Sequence, residues 1–188
     1  MKKEIKPGTY LFPMPTTLIG AMVDGRPNWM VAAYVGIMNA RPPMISAALN
    51  RNHHTTQGII QNGTFSVNIP STDFVVKTDY CGLASGKKVD KSSLFTPFFG
   101  ELKTAPMIEE CPLAFEVRLT QTIEFPVDIA FIGEIVSVFC EDRCITGDLP
   151  DIEKVSPIVF EMGKNRYFSV GQFIGSAWDI GKALKPGE

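Results

Sequence analysis

Both histidines of the chain stand side by side in Asn50-Arg51-Asn52-His53-His54-Thr55-Thr56. Residues of these types could ligate a metal, move a proton or hold an anion. Neighbouring positions point about 100° apart on a helix and to opposite faces on a strand, so adjacent imidazoles do not share one ion without a special turn. With no third histidine in the chain, a metal would also need carboxylates or thiols from elsewhere. The anion reading has better support. The stretch closes an apolar run and opens a helix, where free backbone N–H groups meet hydroxyls and a guanidinium. An ordinary helix cap with polar neighbours accounts for the same residues equally well.

A second candidate is Cys81-Gly82-Leu83-Ala84-Ser85-Gly86-Lys87-Lys88. It looks like a phosphate-binding loop, but three residues rather than four lie between Gly82 and Gly86, and Lys88 stands where Ser or Thr would hold magnesium. Nucleoside triphosphate hydrolysis is excluded on that ground. What is left is a turn rich in backbone amides with Lys87, Lys88 and Lys91 nearby, which suits an anion and equally a solvated loop. No G-x-G-x-x-G follows a strand and no G-x-S-x-G occurs, so neither a Rossmann dinucleotide site nor a hydrolase elbow is expected. Cys140 and Cys144 lack the spacing of a redox dithiol or a zinc knuckle; with Cys81 and Cys111 they read as reduced structural thiols.

These residues need elements to position them. Short apolar runs at 17–23, 29–35 and 44–49, separated by Asp24-Gly25-Arg26-Pro27 and Ala40-Arg41-Pro42-Pro43, predict three strands of an antiparallel meander. His54 to Gln61 predicts a two-turn helix closed by Asn62-Gly63. Thr64 to Ile69 alternates as a strand, and a helix is predicted over 72–79 within an irregular 71–100. Leu113, Phe115, Val117 and Leu119 form one face of a strand. The next, VDIAFIGEIVSVF, is apolar on both faces and must be covered on both, by the barrel interior and by a partner subunit. VGQFIGSAWDIGKALKP predicts a loose C-terminal helix.

The 188 residues suit a single domain over 1–188, and a hydrophobic share of 45% can build a core without staples. A net charge of −2 offers no basic field for nucleic acid. No segment approaches the roughly 18 apolar residues of a membrane span, and no export signal is seen, so a soluble cytoplasmic protein without a membrane partner is expected. At least six short strands with few helices, and no β-α-β-α alternation, indicate a mainly β, closed or nearly closed barrel.

The order of motifs carries a resemblance. NWMVAAYVGIMNARPPMISAALNRNHHTTQGIIQNGTFSVNIPS, then DYCGLASGKKVDK, then PLAFEVRL and FIGEIVSV, resembles the flavin reductase-like, FMN-binding split-barrel family, closest to its flavoredoxin type, over roughly residues 10–175. The resemblance implies a six-stranded antiparallel split barrel of Greek-key character with a few short helices, a homodimer, and noncovalent FMN near the subunit interface. It puts Asn28, Met30, Ala32, Ala33 and Tyr34 beside the isoalloxazine, and Asn50, Arg51, Thr55 and Thr56 at the ribityl and phosphate. Ser85, Gly86 and Lys91 fall on a loop closing over the cofactor. The histidines read as bystanders. Family members often carry G-D-H before the FIGE-like strand; here Ile129 stands at the histidine position after Asp128. The implied activity is electron transfer or NAD(P)H-dependent, flavin reductase-like oxidation and reduction, with a reduced nicotinamide or a ferredoxin-type protein as donor. The alternatives are a noncatalytic FMN carrier or store, and a binding module that has lost its flavin.

Overall fold

The computed structural model describes residues 1–184. Seven strands form its main antiparallel sheet: β1 (Thr17–Val23), β2 (Arg26–Ala32), β3 (Val35–Ala40), β4 (Pro43–Asn50), β5 (Thr64–Ile69), β6 (Leu113–Glu124) and β7 (Asp128–Cys140). Their order is β2-β1-β5-β6-β7-β4-β3. The sheet curls until β2 touches β4, but the two are not hydrogen-bonded neighbours, and this gap is the split of the barrel.

Local sequence explains the connections. Asp24 and Gly25 both take positive φ, 49° and 76°, between the paired Val23 and Arg26, which is the two-residue hairpin turn whose twist matches its strands. Inside the curl, Ile19, Ala21, Phe65, Val67, Val117 and Phe131 interdigitate, all fully buried. Each such large apolar side chain contributes roughly 1.5–3 kcal/mol. Helix α1 (His54–Asn62) packs its Thr55, Thr56, Gly58 and Ile59 face on β1. It ends at Gly63, whose φ of 65° lets its N–H reach the Ile59 carbonyl. Helix α2 (Val75–Leu83) lies against β2, over a second cluster in which Trp29 meets Phe95 edge-on at 5.5 Å beside Leu18, Cys81 and Ile108. A hairpin of β8 (Ile158–Glu161) and β9 (Arg166–Ser169) joins Met14–Pro15 in a small separate sheet.

Buried polar side chains lock the loops to this frame. Asn68 donates to the Leu18 carbonyl at 2.9 Å and accepts from the Ile108 amide at 2.9 Å. Glu116, fully buried, accepts from the amides of Gly100, Glu101 and Leu102 at 2.8, 2.9 and 3.2 Å. A buried carboxylate is tolerated here because backbone N–H groups replace its hydration.

The predicted split barrel is present, with four differences in detail. The main sheet has one strand more than the six expected, because β3 escaped notice: all but its first residue are exposed, so it carries no apolar period. The three-strand meander is absent, since β2 ends at Ala32 and β4 pairs with β3 and β7 instead. The helix predicted over 72–79 starts as a 3₁₀ turn, Thr72–Phe74, and continues as α2 to Leu83. Among the described residues the C-terminal stretch holds a 3₁₀ turn at Ile180–Leu184, none of whose side chains is buried; Lys185 and Pro186 lie outside the described residues.

Candidate functional site

The split opens into a slot of about 300 Å³. Met30, Val31 and Ala32 of β2, with Ala33 and Tyr34 just beyond, form one wall. Ala48, Leu49 and Asn50 of β4 and Asp128 at the start of β7 form the other, and the β8–β9 hairpin brings Phe160, Met162 and Tyr167. Tyr167 is held by its hydroxyl donating to Asp79 Oδ1 of α2 at 2.9 Å. The walls are mainly apolar, but the polar groups are not scattered. Asn50 and Asp128 are direct cross-strand partners, and the His53 amide donates to the Asn50 carbonyl at 3.1 Å, so the three sit together at one end.

A second cavity of about 280 Å³ adjoins that end and shares Met30, Val31 and His53 with the slot. Asn28, Asn52, His54 and Thr55 line it from the β2 and α1 side; Cys81 to Gly86 and Lys91 line it from the α2 side. No side chain caps the start of α1, which leaves its first-turn N–H groups without intrahelical partners beside the cavity. Asn28 donates to Thr55 Oγ1 at 2.7 Å, pinning strand to helix. Lys91 is 3% exposed, and its ammonium donates to the carbonyls of Cys81 and Ala84 at 3.3 and 3.1 Å. That uses two of its three donors and satisfies the C-terminal end of α2. Burial lowers the Lys91 pKa, and the Cys81 thiol partly opposes this. The same burial pushes Cys81 up to about 11, with Lys91 pulling the other way. Beyond Asn28 and His54 lies a polar cleft of about 380 Å³ with Arg26, Lys87 and Lys88, bridged by an Arg26–Asp90 ion pair at 2.8 Å.

Ten of the twelve sequence-predicted residues line these two cavities: Asn28, Met30, Ala32, Ala33, Tyr34, Asn50, Thr55, Ser85, Gly86 and Lys91. Two do not. Arg51 turns outward, donating to the Phe125 carbonyl at 2.6 Å with Glu124 3.8 Å away, so its guanidinium braces the β6–β7 hairpin instead of meeting an anion. Thr56 is fully buried and donates to the Asn50 carbonyl at 2.9 Å, which fixes the turn before α1. The histidines set aside by the sequence reading both stand in the walls, on different sides as their adjacency requires: His53 faces the slot and the second cavity, His54 the second cavity and the polar cleft. Thr16, Phe160, Met162 and Tyr167 were missed altogether; they come from distant segments with no local signal. Ile129 is buried in the main core while Asp128 faces the slot, as strand alternation dictates.

The shape and polarity suit a flat ring with a phosphorylated polyol tail. Among the described residues three buried side-chain polar atoms lack partners, and two belong to residues of these walls: Thr16 Oγ1 at the slot and His54 Nδ1 at the second cavity. Such orphans are costly unless a ligand or water satisfies them. A flavin would meet that demand: residues of β2 and β4 could hold its ring, and the α1 start with Lys91 could hold its phosphate.

Residues 9–152 match the family described as flavin reductase like domain, and the chain belongs to that family. Within it the chain is of the flavoredoxin type: it is similar to a flavoredoxin of Methanosarcina acetivorans, with a TM-score of 0.96, 47% identity, and coverage of 98% of this chain and 100% of that one. The flavoredoxin of Desulfovibrio vulgaris (Miyazaki F) superposes with a TM-score of 0.91 at 39% identity, over 97% of this chain and 100% of that one. An uncharacterized protein of Archaeoglobus fulgidus is 30% identical over 158 residues, 83% of this chain and 88% of its own length.

Proposed function

We propose that the protein binds FMN and works as an electron-transfer flavoprotein, taking electrons from a reduced nicotinamide or a ferredoxin-type donor and passing them on. The observation that carries this reading is the continuity of the two cavities through His53, Met30 and Val31. An apolar slot for a ring runs directly into a polar pocket for a charged tail. FMN is favoured over a longer cofactor because the second cavity has what one phosphate needs: the open α1 start, the Thr55 hydroxyl and the Lys91 ammonium. When bound, the flavin supplies the redox chemistry. The chain's own residues hold it and shape its surroundings, and none is needed as a nucleophile.

Exposed apolar side chains support a homodimer built on this face. Ile37 and Met38 of β3, and Ile123, Phe125 and Val127 around the β6–β7 turn, all lie open, close in sequence to Tyr34 and Asp128 of the slot. Exposed large apolar residues at a sheet edge and at a strand turn are the kind that a partner covers. With β3 at the sheet edge, a second copy would cover both the edge and the slot mouth.

The test begins with colour. Protein supplied with FMN should stay yellow through gel filtration at the mass of a dimer; a colourless protein that ignores added FMN would end the proposal. Anaerobic addition of NADH or NADPH then distinguishes the donors. Bleaching identifies a nicotinamide-dependent reductase, whereas bleaching only by reduced ferredoxin identifies an electron carrier.

A further inference from the structure

The polar cluster at the inner end of the slot contains an arrangement that flavin binding alone does not require. His53 is the N-cap residue of α1, yet its side chain makes no cap hydrogen bond, so the helix does not consume the imidazole. It stands at the junction of slot and tail cavity, at the same end of the slot as Asp128, the cross-strand partner of Asn50. In any flavin the tail leaves the ring at N10, beside the N1–C2=O edge on one side and the benzenoid edge on the other. His53 lines both cavities, and Asn50 and Asp128 sit with it at that end of the slot, so the polar edge would belong on this side.

A bound flavin taking up two electrons and one proton would carry one negative charge on its N1–C2=O edge. Here that charge would arrive in a slot that already holds the Asp128 carboxylate. Like charges in a partly desolvated site repel strongly. We propose that His53 is the proton acceptor that compensates this charge: as a donor such as dithionite or a reduced nicotinamide delivers two electrons, the neutral imidazole takes one proton from solvent and becomes a cation between the flavin edge and Asp128. The balance is two electrons and two protons, one on N5 and one on His53. The inference rests on the flavin reading above.

The charged and titratable surroundings of His53 set its resting state. Burial lowers its pKa, Asp128 raises it, and Lys91 and Lys87 on the loop after α2 lower it further. Tyr34 and Tyr167 face the slot, Cys81 faces the tail cavity, and Arg51 is turned away to Phe125 and Glu124. The imidazole is therefore neutral at rest and poised to charge when a negative neighbour appears.

The experiment follows the His53 ring by NMR in FMN-loaded protein with labelled histidine, oxidised and then reduced by dithionite. His54 is assigned through a His54→Gln sample. The expected result is a rise in the His53 pKa on reduction by at least one unit. By reciprocity, each tenfold gain in proton affinity moves the two-electron midpoint potential up by about 30 mV. His53→Gln should therefore have a lower midpoint potential than wild type at acid pH and the same potential at alkaline pH. Asp128→Asn should lower the His53 pKa in the oxidised protein, as loss of the nearby carboxylate requires. An unchanged His53 titration in the two redox states, or superimposable potentials for wild type and His53→Gln at every pH, overturns the inference while FMN binding stands. Failure to bind FMN overturns both readings.

Discussion

Gly86 is where the loop after α2 comes closest to the strand beneath it, and Gly86→Ala tests whether that loop closes the tail cavity. An ideal Cβ there would lie 2.4 Å from Asn28 Oδ1 and 3.0 Å from His54 Cδ2. The backbone at Gly86 is not in the left-handed region, so alanine is excluded by its neighbours and not by its own φ. Two responses are open. Asn28 moves and gives up its bond to Thr55 Oγ1, now 2.7 Å, at about 0.5–1.5 kcal/mol. Alternatively the loop lifts and carries Ser85 and Lys91 away from the cavity, with overpacking costs of about 1–3 kcal/mol setting the limit. The softer response prevails, so FMN binding should weaken by about 1–2 kcal/mol, roughly 5- to 30-fold. Titration of FMN fluorescence with apoprotein measures this directly. Gly171→Ala is the control, because nothing lies within 4 Å of the added Cβ, and it should bind like wild type. Wild-type affinity in Gly86→Ala would refute the idea that the 85–91 loop forms a wall of the site.

Lys91→Met removes the buried ammonium and should cost FMN about 1.5–3 kcal/mol, the range for a charge-assisted bond, whereas Arg51→Ala should leave affinity unchanged and cost stability about 0–1 kcal/mol; the same titration and a urea melt separate the two. Glu116→Gln leaves the amides of Gly100, Glu101 and Leu102 with a weaker acceptor, and an unfolding free energy lowered by about 1–3 kcal/mol in urea melts, with FMN affinity retained, is expected. Cys81 has a folded pKa raised to about 11 from 9.0, so its neutral thiol contributes stability that is complete below pH 9 and lost as pH rises through 11. Urea melts across that window should show the loss in wild type and a flatter profile in Cys81→Ala. Native-state alkylation should modify Cys140, which is partly exposed, ahead of the buried Cys81, Cys111 and Cys144.

Strand period, turn chemistry and motif order are local properties, and they were legible in the chain. The alternation in Thr64–Ile69 and in residues 113–120 predicts strands, which form although the polar face of the first is buried as well, and Asn62-Gly63 predicts a helix end. The same local logic led to the α1 start and to the CGLASGKK loop as the places to meet an anion, and both line the second cavity. β3 was not legible, because an exposed edge strand has no reason to alternate, and its place was set by hydrogen bonding to β4.

Side-chain direction belonged to the tertiary structure. Arg51 and Thr56 have the chemistry of phosphate ligands, but the β6–β7 hairpin captures one and the Asn50 carbonyl captures the other. His53 looked idle in the sequence because adjacency spoke only against a shared metal. Its value comes from Asp128, 75 positions later, which strand pairing with Asn50 carries to the same end of the slot. Thr16, Phe160, Met162 and Tyr167 likewise reach the slot from segments that no local period connects. A chain specifies its elements through short-range periodicity. Which polar atoms face one another across a cavity depends on register, curl and the closing of a sheet on itself, and those are settled only when the whole chain packs.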